Sequence, residues 1–162
     1  MPDRLVVANT SPLYYLHQVG QLEVLRALYG RIAIPLAVQE ELAVGGRVGL
    51  SVPDTSQMGW IDIMPVRSRE LIPIIIDLGP GEAEVVALGL EKPGSLLILD
   101  DQLGRRVAHL NALTCTGTMG VLVRAKRRGH LKEIAATVRQ LRAAGHWLSD
   151  DLVAMVLDQA GE

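Results

Sequence analysis

The sequence predicts an α/β fold in which a mainly parallel sheet carries helices on both of its faces. Short apolar stretches alternate along the chain with longer segments that have helix start and stop signals. The apolar stretches are continuous and do not alternate with polar residues, which is typical of strands buried on both faces. The chain has 162 residues, 49% hydrophobic and 21% charged, so it is long enough to bury the core of one globular domain.

The first part of the chain begins with a buried strand that leads directly into a helix. The strand stops at Asn9, and Thr10, Ser11 and Pro12 after it are typical of a helix start. Glycines end the helices that follow. The expected order is a strand at 5–8, helices to about 19 and at 22–29, a strand at 32–34 and a helix at 36–44.

The middle of the chain is less regular. The polar, glycine-containing stretch at 45–59 is expected to form a mobile loop, and a strand is expected at 60–66. A helix is also expected over 68–77, although Pro73 is unfavourable inside it.

The second half returns to a regular alternation of elements, without internal repeats or linkers. Its expected elements are a helix opened by Gly-Pro-Gly at 79–81 and continuing over 82–91, a strand at 96–99, a helix at 101–110, a strand at 114–116, and helices at 119–128, 131–143 and 150–160. We therefore expect a single domain over residues 1–162, with 146–162 as a C-terminal helical extension.

The composition argues against several classes of protein. Cys115 is the only cysteine, so no disulfide can form within the chain and no zinc cluster can be built from thiolates. The longest apolar runs, such as 71–76, are too short to cross a membrane, and the first residues lack a signal-peptide pattern, so a cytoplasmic protein is expected. Aromatic residues make up only 3% and Phe is absent, so we do not expect an aromatic platform for stacking bases.

Acidic and amide side chains lie where the predicted strands end or where the neighbouring helices begin. Ligands bind outside the carboxyl ends of parallel strands, so these side chains are expected to converge. Their oxygen atoms suit Mg²⁺ or Mn²⁺, and such an ion supports phosphodiester hydrolysis. The residues are Asn9, Glu40, Glu41, Glu82, Glu84, Asp100 and Asp101.

Each acidic pair also has a purely structural explanation. Glu82 and Glu84 lie near the start of a helix, where acids interact favourably with the helix dipole. Either aspartate after the fourth strand could cap the next helix, and one glutamate at 40–41 must face solvent. The structural explanation is favoured for any single pair, and only the coincidence of all pairs at strand ends supports a metal site.

Several sequence blocks, in a fixed order over nearly the whole chain, resemble the PIN family, in a branch related to VapC toxins. The blocks are VVANTSPL at 6–13 with GQL at 20–22, IP at 34–35 with VQEEL at 38–42, LGPGEAE at 78–84 with AL at 87–88, LILDD at 97–101 with GRRVA at 104–108, TGTMG at 116–120 with AKRRG at 125–129, and AGHWLS at 144–149.

This resemblance implies a PIN-like three-layer α/β/α fold with a central, mainly parallel sheet of about four to five strands. It implies a Mg²⁺- or Mn²⁺-dependent ribonuclease, which acts as the toxin of a type II toxin–antitoxin pair and is inhibited by a small antitoxin protein. It also implies a homodimer, for which the apolar stretch at 72–76 and the first helices offer surface.

The resemblance also implies which residues bind the metal and catalyse. The catalytic quartet carried over by position is Asn9, Glu41, Glu82 and Asp101, and Thr118 is expected to orient the metal-bound water or the phosphate. Glu41 is preferred because Leu follows it directly, Glu82 because the apolar pattern after it then aligns best, and Asp101 because one polar residue separates it from the strand. The neighbouring acids Glu40, Glu84 and Asp100 remain alternative metal ligands.

Asn9 is the one clear departure, because the family has Asp at this position most often. An amide oxygen can bind a metal but adds no charge, and one charge pair near a surface is worth on the order of a few kcal/mol. The alternative function is therefore a degenerate, catalytically weak PIN fold that binds a protein or RNA without cutting it. A response-regulator receiver, also an α/β fold, is less favoured because it needs an acid pair after the first strand.

Basic residues are concentrated in the second half of the chain. They are expected to hold the RNA backbone, although a solvated helix face explains the cluster between 121 and 148 somewhat better. The four histidines lack metal-ligand spacing, and no role is expected for them. The expected RNA-binding residues are Arg105, Arg106, Arg124, Lys126, Arg127 and Arg128.

Overall fold

The computed structural model describes residues 4–162, and within them it contains five strands and eight α-helices. The strands are β1 (Val6–Ala8), β2 (Ile32–Ile34), β3 (Ile61–Ile63), β4 (Leu96–Ile98) and β5 (Thr114–Thr116). The helices are α1 (Thr10–Gln18), α2 (Glu23–Tyr29), α3 (Leu36–Arg47), α4 (Pro80–Glu91), α5 (Gln102–Leu110), α6 (Thr118–Arg127), α7 (Ala135–Ala143) and α8 (Asp150–Gln159).

The five strands form one parallel sheet in the order β3-β2-β1-β4-β5. Its register aligns Val7 with Ala33 on one side and with Leu97 on the other, and Leu97 in turn with Cys115. Helices cover the sheet, which makes β1, β2 and β4 buried along their whole length. The predicted three-layer α/β/α fold is confirmed, and the sheet is parallel throughout.

The strand order reverses between β1 and β4. From β1 the chain moves outward to β2 and β3, whereas β4 and β5 add to the opposite side. The two central strands are joined beyond their ends, since Asn9 N donates to Ile98 O at 3.0 Å. A crevice at the carboxyl ends of strands that diverge in this way is the usual ligand site of open parallel sheets.

The helix α4 packs closely against the centre of the sheet. Seven of its residues are buried, and all seven are small or aliphatic (Gly81, Ala83, Val85, Val86, Ala87, Leu88 and Gly89). Gly89 allows the close approach, because a Cβ there would stand 3.1 Å from both Cδ atoms of Leu97. This packing fixes the first turn of α4 above the end of β1.

The expected helix over 68–77 is wrong. The structure has a single 3₁₀ turn at Arg69–Leu71 and then irregular chain up to α4, because Pro73 cannot continue a helix and restricts the residue before it. The side chains of Ile74 and Ile76 are 100% and 88% exposed, so these apolar residues do not belong to the core.

The expected loop at 45–59 is wrong at both ends. The helix α3 continues through Gly45 and Gly46 to Arg47, and a 3₁₀ turn forms at Thr55–Gln57. The two glycines pack against Val52, whose methyl groups leave only 3.2 and 3.3 Å for a Cβ at either position. This tertiary contact outweighs the low helix propensity of glycine.

The C-terminal segment folds back on the domain through α8, which packs against α6. The Glu162 carboxylate accepts hydrogen bonds from Ile134 N at 2.8 Å and Ala135 N at 3.1 Å. These bonds cap the first turn of α7, which begins at Ala135 rather than at the expected Leu131.

Within residues 4–162, no helix combines the length and apolar character needed to span a membrane.

Candidate functional site

Asn9 and Glu41 meet at the N-terminus of α4. Glu41 Oε1 accepts a hydrogen bond from the Thr10 hydroxyl, and Oε2 accepts one from Gly81 N at 3.2 Å. Gly81 makes the meeting possible, because a Cβ there would lie 2.8 Å from Asn9 Oδ1 and still closer to the Glu41 carboxylate. The crevice therefore brings an amide oxygen and a carboxylate to one point.

The side-chain oxygen of Asn9 is an orphaned acceptor. Asn9 is only 2% exposed, and within residues 4–162 its buried Oδ1 has no hydrogen-bond partner. Although Asn9 occupies the N-cap position of α1, its side chain does not cap the helix. A buried unsatisfied polar atom costs about 1–3 kcal/mol, so this orientation of the amide needs a partner that the hydrogen bonds within residues 4–162 do not supply.

Two acceptors that face each other in this way fit a bound cation. Mg²⁺ commonly binds through one or two protein carboxylates and completes its octahedron with waters and substrate phosphates. Asn9 Oδ1 and the Glu41 carboxylate offer the hard oxygen ligands that such an ion prefers. A 180° rotation of the Asn9 amide is the competing arrangement, since it would turn a donor toward Glu41.

Asp100 forms a second, largely buried cluster at the end of β4. Its Oδ1 accepts a hydrogen bond from Thr118 N at 2.7 Å and its Oδ2 accepts one from the Thr118 hydroxyl at 2.5 Å. His146 Nε2 lies 3.5 Å from Oδ2, and the ring of His146 packs on Tyr15 with 4.4 Å between centroids. Four segments distant in sequence therefore meet around this carboxylate.

The surroundings of Asp100 keep it ionised. Burial raises the pKa of Asp100, but the interactions with His146 and Thr118 outweigh burial, so its pKa lies below the ordinary value. The contact with His146 is long for a hydrogen bond, and no aligned acceptor for Nε2 lies in the described part of the chain. The two short bonds from Thr118 therefore provide the firmer part of the stabilisation.

Glu82 and Asp101, the other two members of the expected quartet, lie together on either side of Gly104. Asp101 is exposed and caps α5, with Oδ2 accepting a hydrogen bond from Gly104 N at 2.7 Å. Glu82 folds back over Gly79, and its Cγ lies 3.4 Å from where a Cβ of Gly104 would stand. In this arrangement both acids make the contacts that their structural explanations predicted.

The remaining acids of the doublets point elsewhere. Glu40 is exposed and pairs with Arg47 at 3.1 Å, whereas Glu84 Oε1 accepts a hydrogen bond from Ala37 N at 3.2 Å near the start of α3. Of the pair Glu40 and Glu41, the inward member is thus Glu41. Of the pair Asp100 and Asp101, the inward member is Asp100 rather than the preferred Asp101. Which of them binds a metal stays a prediction.

The acids do not all converge. Among residues 4–162, no three His, Cys, Asp or Glu side chains are grouped closely enough to hold a metal ion together. The carboxylates are distributed over the Asn9–Glu41 pair, the Asp100–Thr118–His146 cluster and the pair around Gly104. An ion at the first of these would need waters or a substrate phosphate to complete its shell.

A cavity of about 960 Å³ opens beside Asp100. Arg105 and Arg106 from α5 line it, together with Gly117 and the C-terminal residues His146 and Trp147. A Cβ at Gly117 would lie 2.8 Å from Asp100 Oδ1 and 3.2 Å from an Nη atom of Arg105. The cavity therefore places a guanidinium close to the buried carboxylate.

The other four basic residues lie on the distal half of α6. This helix starts at Thr118 and rises about 1.5 Å per residue, so its last turn is far from Asp100. Lys126 pairs with Glu162 at 2.9 Å, and an Nη atom of Arg127 donates to Gln159 O at 2.9 Å. Arg124 and Arg128 lie near Tyr29. Burial raises the pKa of Tyr29 above its ordinary value, and the two cations offset part of that rise. Only Arg105 and Arg106 thus line the cavity.

A family model described as a PIN domain matches residues 5–162. The chain belongs to the PIN domain family. No curated protein and no solved structure gives a significant match to it. PIN domains are typically nucleases, and PIN nucleases generally use divalent metal ions, which agrees with the oxygen-rich crevice between β1 and β4.

Sequence reasoning missed three residues that shape this PIN site. Gly81 was assigned only to a helix start, yet its missing side chain makes room for Asn9 and Glu41. His146 was given no role, yet it faces Asp100. Trp147 likewise has no role in the sequence analysis, although both His146 and Trp147 belong to the block at 144–149 that resembles the family. That block was the available signal.

Proposed function

We propose that this PIN domain is a metal-dependent ribonuclease, related to VapC, that hydrolyses RNA phosphodiester bonds as the toxin of a type II toxin–antitoxin pair. The buried, unsatisfied Asn9 Oδ1 beside the Glu41 carboxylate carries the proposal. Two facing acceptors at the switch point of a nuclease fold are explained by a cation that both of them bind.

Asn9 and Glu41 would hold Mg²⁺ or Mn²⁺, and Asp100 is a further, largely buried carboxylate at the carboxyl ends of the strands. When bound, the ion supplies positive charge to the phosphate and makes a water molecule more acidic. The Thr10 hydroxyl and Gly81 N orient the Glu41 carboxylate through their hydrogen bonds, so that little reorganisation is needed when the cation arrives.

Thr118 acts on the reaction through Asp100. Its backbone N–H and hydroxyl hold both oxygens of that carboxylate, which fixes its orientation at the edge of the cavity. Because the pKa of Asp100 is lowered, the group remains an acceptor at neutral pH. It orients a water or a ligand by accepting hydrogen bonds, and it does not carry a proton there.

A binding module without nuclease activity is the second candidate. The neutral Asn9 favours it, as does the lack of a group of three acidic or other ligating side chains within residues 4–162. In that case the crevice would keep its shape but bind the cation too weakly for catalysis. Asn9→Asp tests this candidate, because restoring the charge should then create activity that the natural chain lacks.

The partners and location follow from the same proposal. A small antitoxin protein would inhibit the nuclease, and the active form would be a homodimer in the cytoplasm. Ile74 and Ile76, both largely exposed ahead of α4, supply apolar surface of the kind that interfaces bury. Sedimentation of the purified chain tests the dimer, with a double substitution of these residues by Ser as the variant expected to be monomeric.

The decisive assay is cleavage of single-stranded RNA and of DNA of the same sequence, with Mn²⁺ or with a chelator. We expect metal-stimulated RNA cleavage that Glu41→Gln abolishes and Glu40→Gln, on the solvent face of the same helix, preserves. Asp100→Ala and Asp101→Ala compare the two aspartates of the doublet, and the more buried one should cost more activity. Equal cleavage by wild type and Glu41→Gln would refute the proposed site.

A further inference from the structure

Trp147 presents an exposed aromatic ring on a rigidly held segment. It is 83% exposed, while the residues on either side of it are fixed. His146 N donates to Leu141 O at 3.0 Å, and Leu148 O accepts two hydrogen bonds from the Arg142 guanidinium, at 3.1 and 2.6 Å. Exposure of so large a ring forgoes substantial burial energy, which suggests that a ligand covers it.

The cavity beside Asp100, which Trp147 lines, is also lined by two arginines that have no ion-pair partner in the described part of the chain. Arg105 and Arg106 make no side-chain hydrogen bond or ion pair within residues 4–162, whereas Arg142 pairs with Asp150 at 2.8 Å. Asp100 also lines the cavity, so two cationic side chains stand against one carboxylate. An occupant of this cavity should therefore combine a flat apolar surface with negative charge.

We propose that this cavity is a nucleotide subsite for unpaired RNA, in which a base stacks on Trp147 and the adjoining phosphate lies beside Arg105 and Arg106. The inference rests on the proposed ribonuclease function and names the form of its substrate. Every base has a π-face that an aromatic side chain can stack on, with little dependence on sequence. A base in a duplex does not expose that face, so the subsite selects single strands.

The proposed subsite departs from the expectation that the chain lacks a stacking platform. The low aromatic content is real, but one of the two tryptophans lies at the cavity that Asp100 borders. The volume of about 960 Å³ is at the upper end of the range for pockets that enclose small organic ligands. It accommodates a nucleotide together with part of its neighbour.

The first test is a fluorescence titration of the whole chain with a short oligoadenylate in the presence of a chelator, which prevents cleavage. Trp60 is only 7% exposed, so changes in emission report on Trp147. We expect saturable quenching by the single strand and much weaker quenching by the same strand annealed to its complement. By anisotropy of a labelled strand, Trp147→Leu should weaken binding about tenfold, whereas Trp147→Phe should retain most of the affinity.

The second test measures how the affinity depends on salt. Each phosphate contact on a single strand contributes a slope of about 0.7 in log affinity against log salt, so Arg105→Gln and Arg106→Gln should each reduce the slope by about that amount. Arg139→Gln is the matched control, since Arg139 is exposed on α7 and does not line the cavity. Its slope should equal that of wild type.

Three outcomes would overturn the subsite. One is unchanged affinity in Trp147→Leu, and another is a slope that falls in Arg124→Gln instead of in the two cavity arginines. The third is equally strong quenching of Trp147 by a polyglutamate peptide, which would make the cavity a groove for an acidic protein segment. Intact RNA binding without metal-stimulated cleavage would refute the ribonuclease and leave the subsite standing, so the two failures are distinguishable.

Discussion

The imidazole of His146 faces the carboxylate of Asp100, with Nε2 3.5 Å from Oδ2. Both side chains are largely buried, although they are separated by more than forty residues in sequence. The segment that follows α7 is therefore part of the site wall and not merely an appended helix. Variants of His146 should consequently affect both folding and the cavity.

We predict that His146→Ala lowers the free energy of unfolding by about 1–3 kcal/mol, because it removes the ring packed on Tyr15 and opens the buried carboxylate to water. Urea denaturation measures this loss. The control is His130→Ala, an exposed histidine at the end of α6 without a side-chain partner in residues 4–162, which should change stability by less than about 0.5 kcal/mol. Equal effects of the two substitutions would contradict the packing role of His146.

The lowered pKa of Asp100 predicts a dependence of stability on pH. The native carboxyl binds its proton less tightly than the unfolded one, whose ordinary pKa is 3.8. Asp100 therefore stabilises the fold above that pH, and the contribution is lost as the pH falls through the native pKa. We expect the stability difference between wild type and Asp100→Asn to shrink as the pH is lowered below about 4.

A second variant locates the cause of this pH dependence. Thr118→Val removes the hydroxyl donor to Oδ2 and leaves the backbone donor to Oδ1, so the native pKa of Asp100 should rise and the stability that is lost on acidification should be smaller than in wild type. Urea denaturation in a series of acidic buffers provides the measurement. A difference between wild type and Asp100→Asn that stays constant over the series would show that the carboxyl is not stabilised in the fold.

The sheet could be predicted from the sequence, whereas only part of the site could. Continuous apolar runs such as that at β4 predict buried parallel strands. The family pattern of a glutamate followed by Leu favours Glu41, which is the member of its doublet that faces Gly81. In the Asp100–Asp101 doublet, however, one residue caps α5 and the other turns inward to Thr118. Which of the two aspartates turns inward depends on where β4 ends in the folded structure, and the adjacent residues in the sequence do not reveal that.

The absent side chain of Gly81 leads to a sharp prediction. Ala is a better helix former than Gly by about 1 kcal/mol, so Gly81→Ala should stabilise α4 if nothing opposes it. Because a Cβ there would overlap the Glu41 carboxylate and crowd Asn9, we instead expect a loss of about 1–3 kcal/mol.

Thermal or urea unfolding measures this loss against Gly59→Ala, where a Cβ would have no atom of residues 4–162 within 4 Å and the effect should be small. A stabilised Gly81→Ala variant would show that Asn9 and Glu41 are not held against the start of α4.

The last residue is predicted to contribute to stability. Glu162 bonds Lys126 at 2.9 Å and caps the first turn of α7, so Glu162→Ala should cost about 1 kcal/mol, as for other lost helix caps. Chemical denaturation checks the value, with Glu133→Ala, an exposed acid without a partner in the described chain, as the control. If both substitutions are neutral, the C-terminus does not hold α7.

Asn9 and Glu41 are proposed to bind a divalent cation, and titration calorimetry with Mn²⁺ in the absence of RNA measures that binding. Wild type should bind Mn²⁺, Asn9→Asp should bind it more tightly because it adds a charge, and Glu40→Gln should match wild type. Glu41→Gln should weaken binding by about tenfold or more, since it removes the only charged ligand of the pair. Equal Mn²⁺ affinity in Glu41→Gln and wild type would contradict the account.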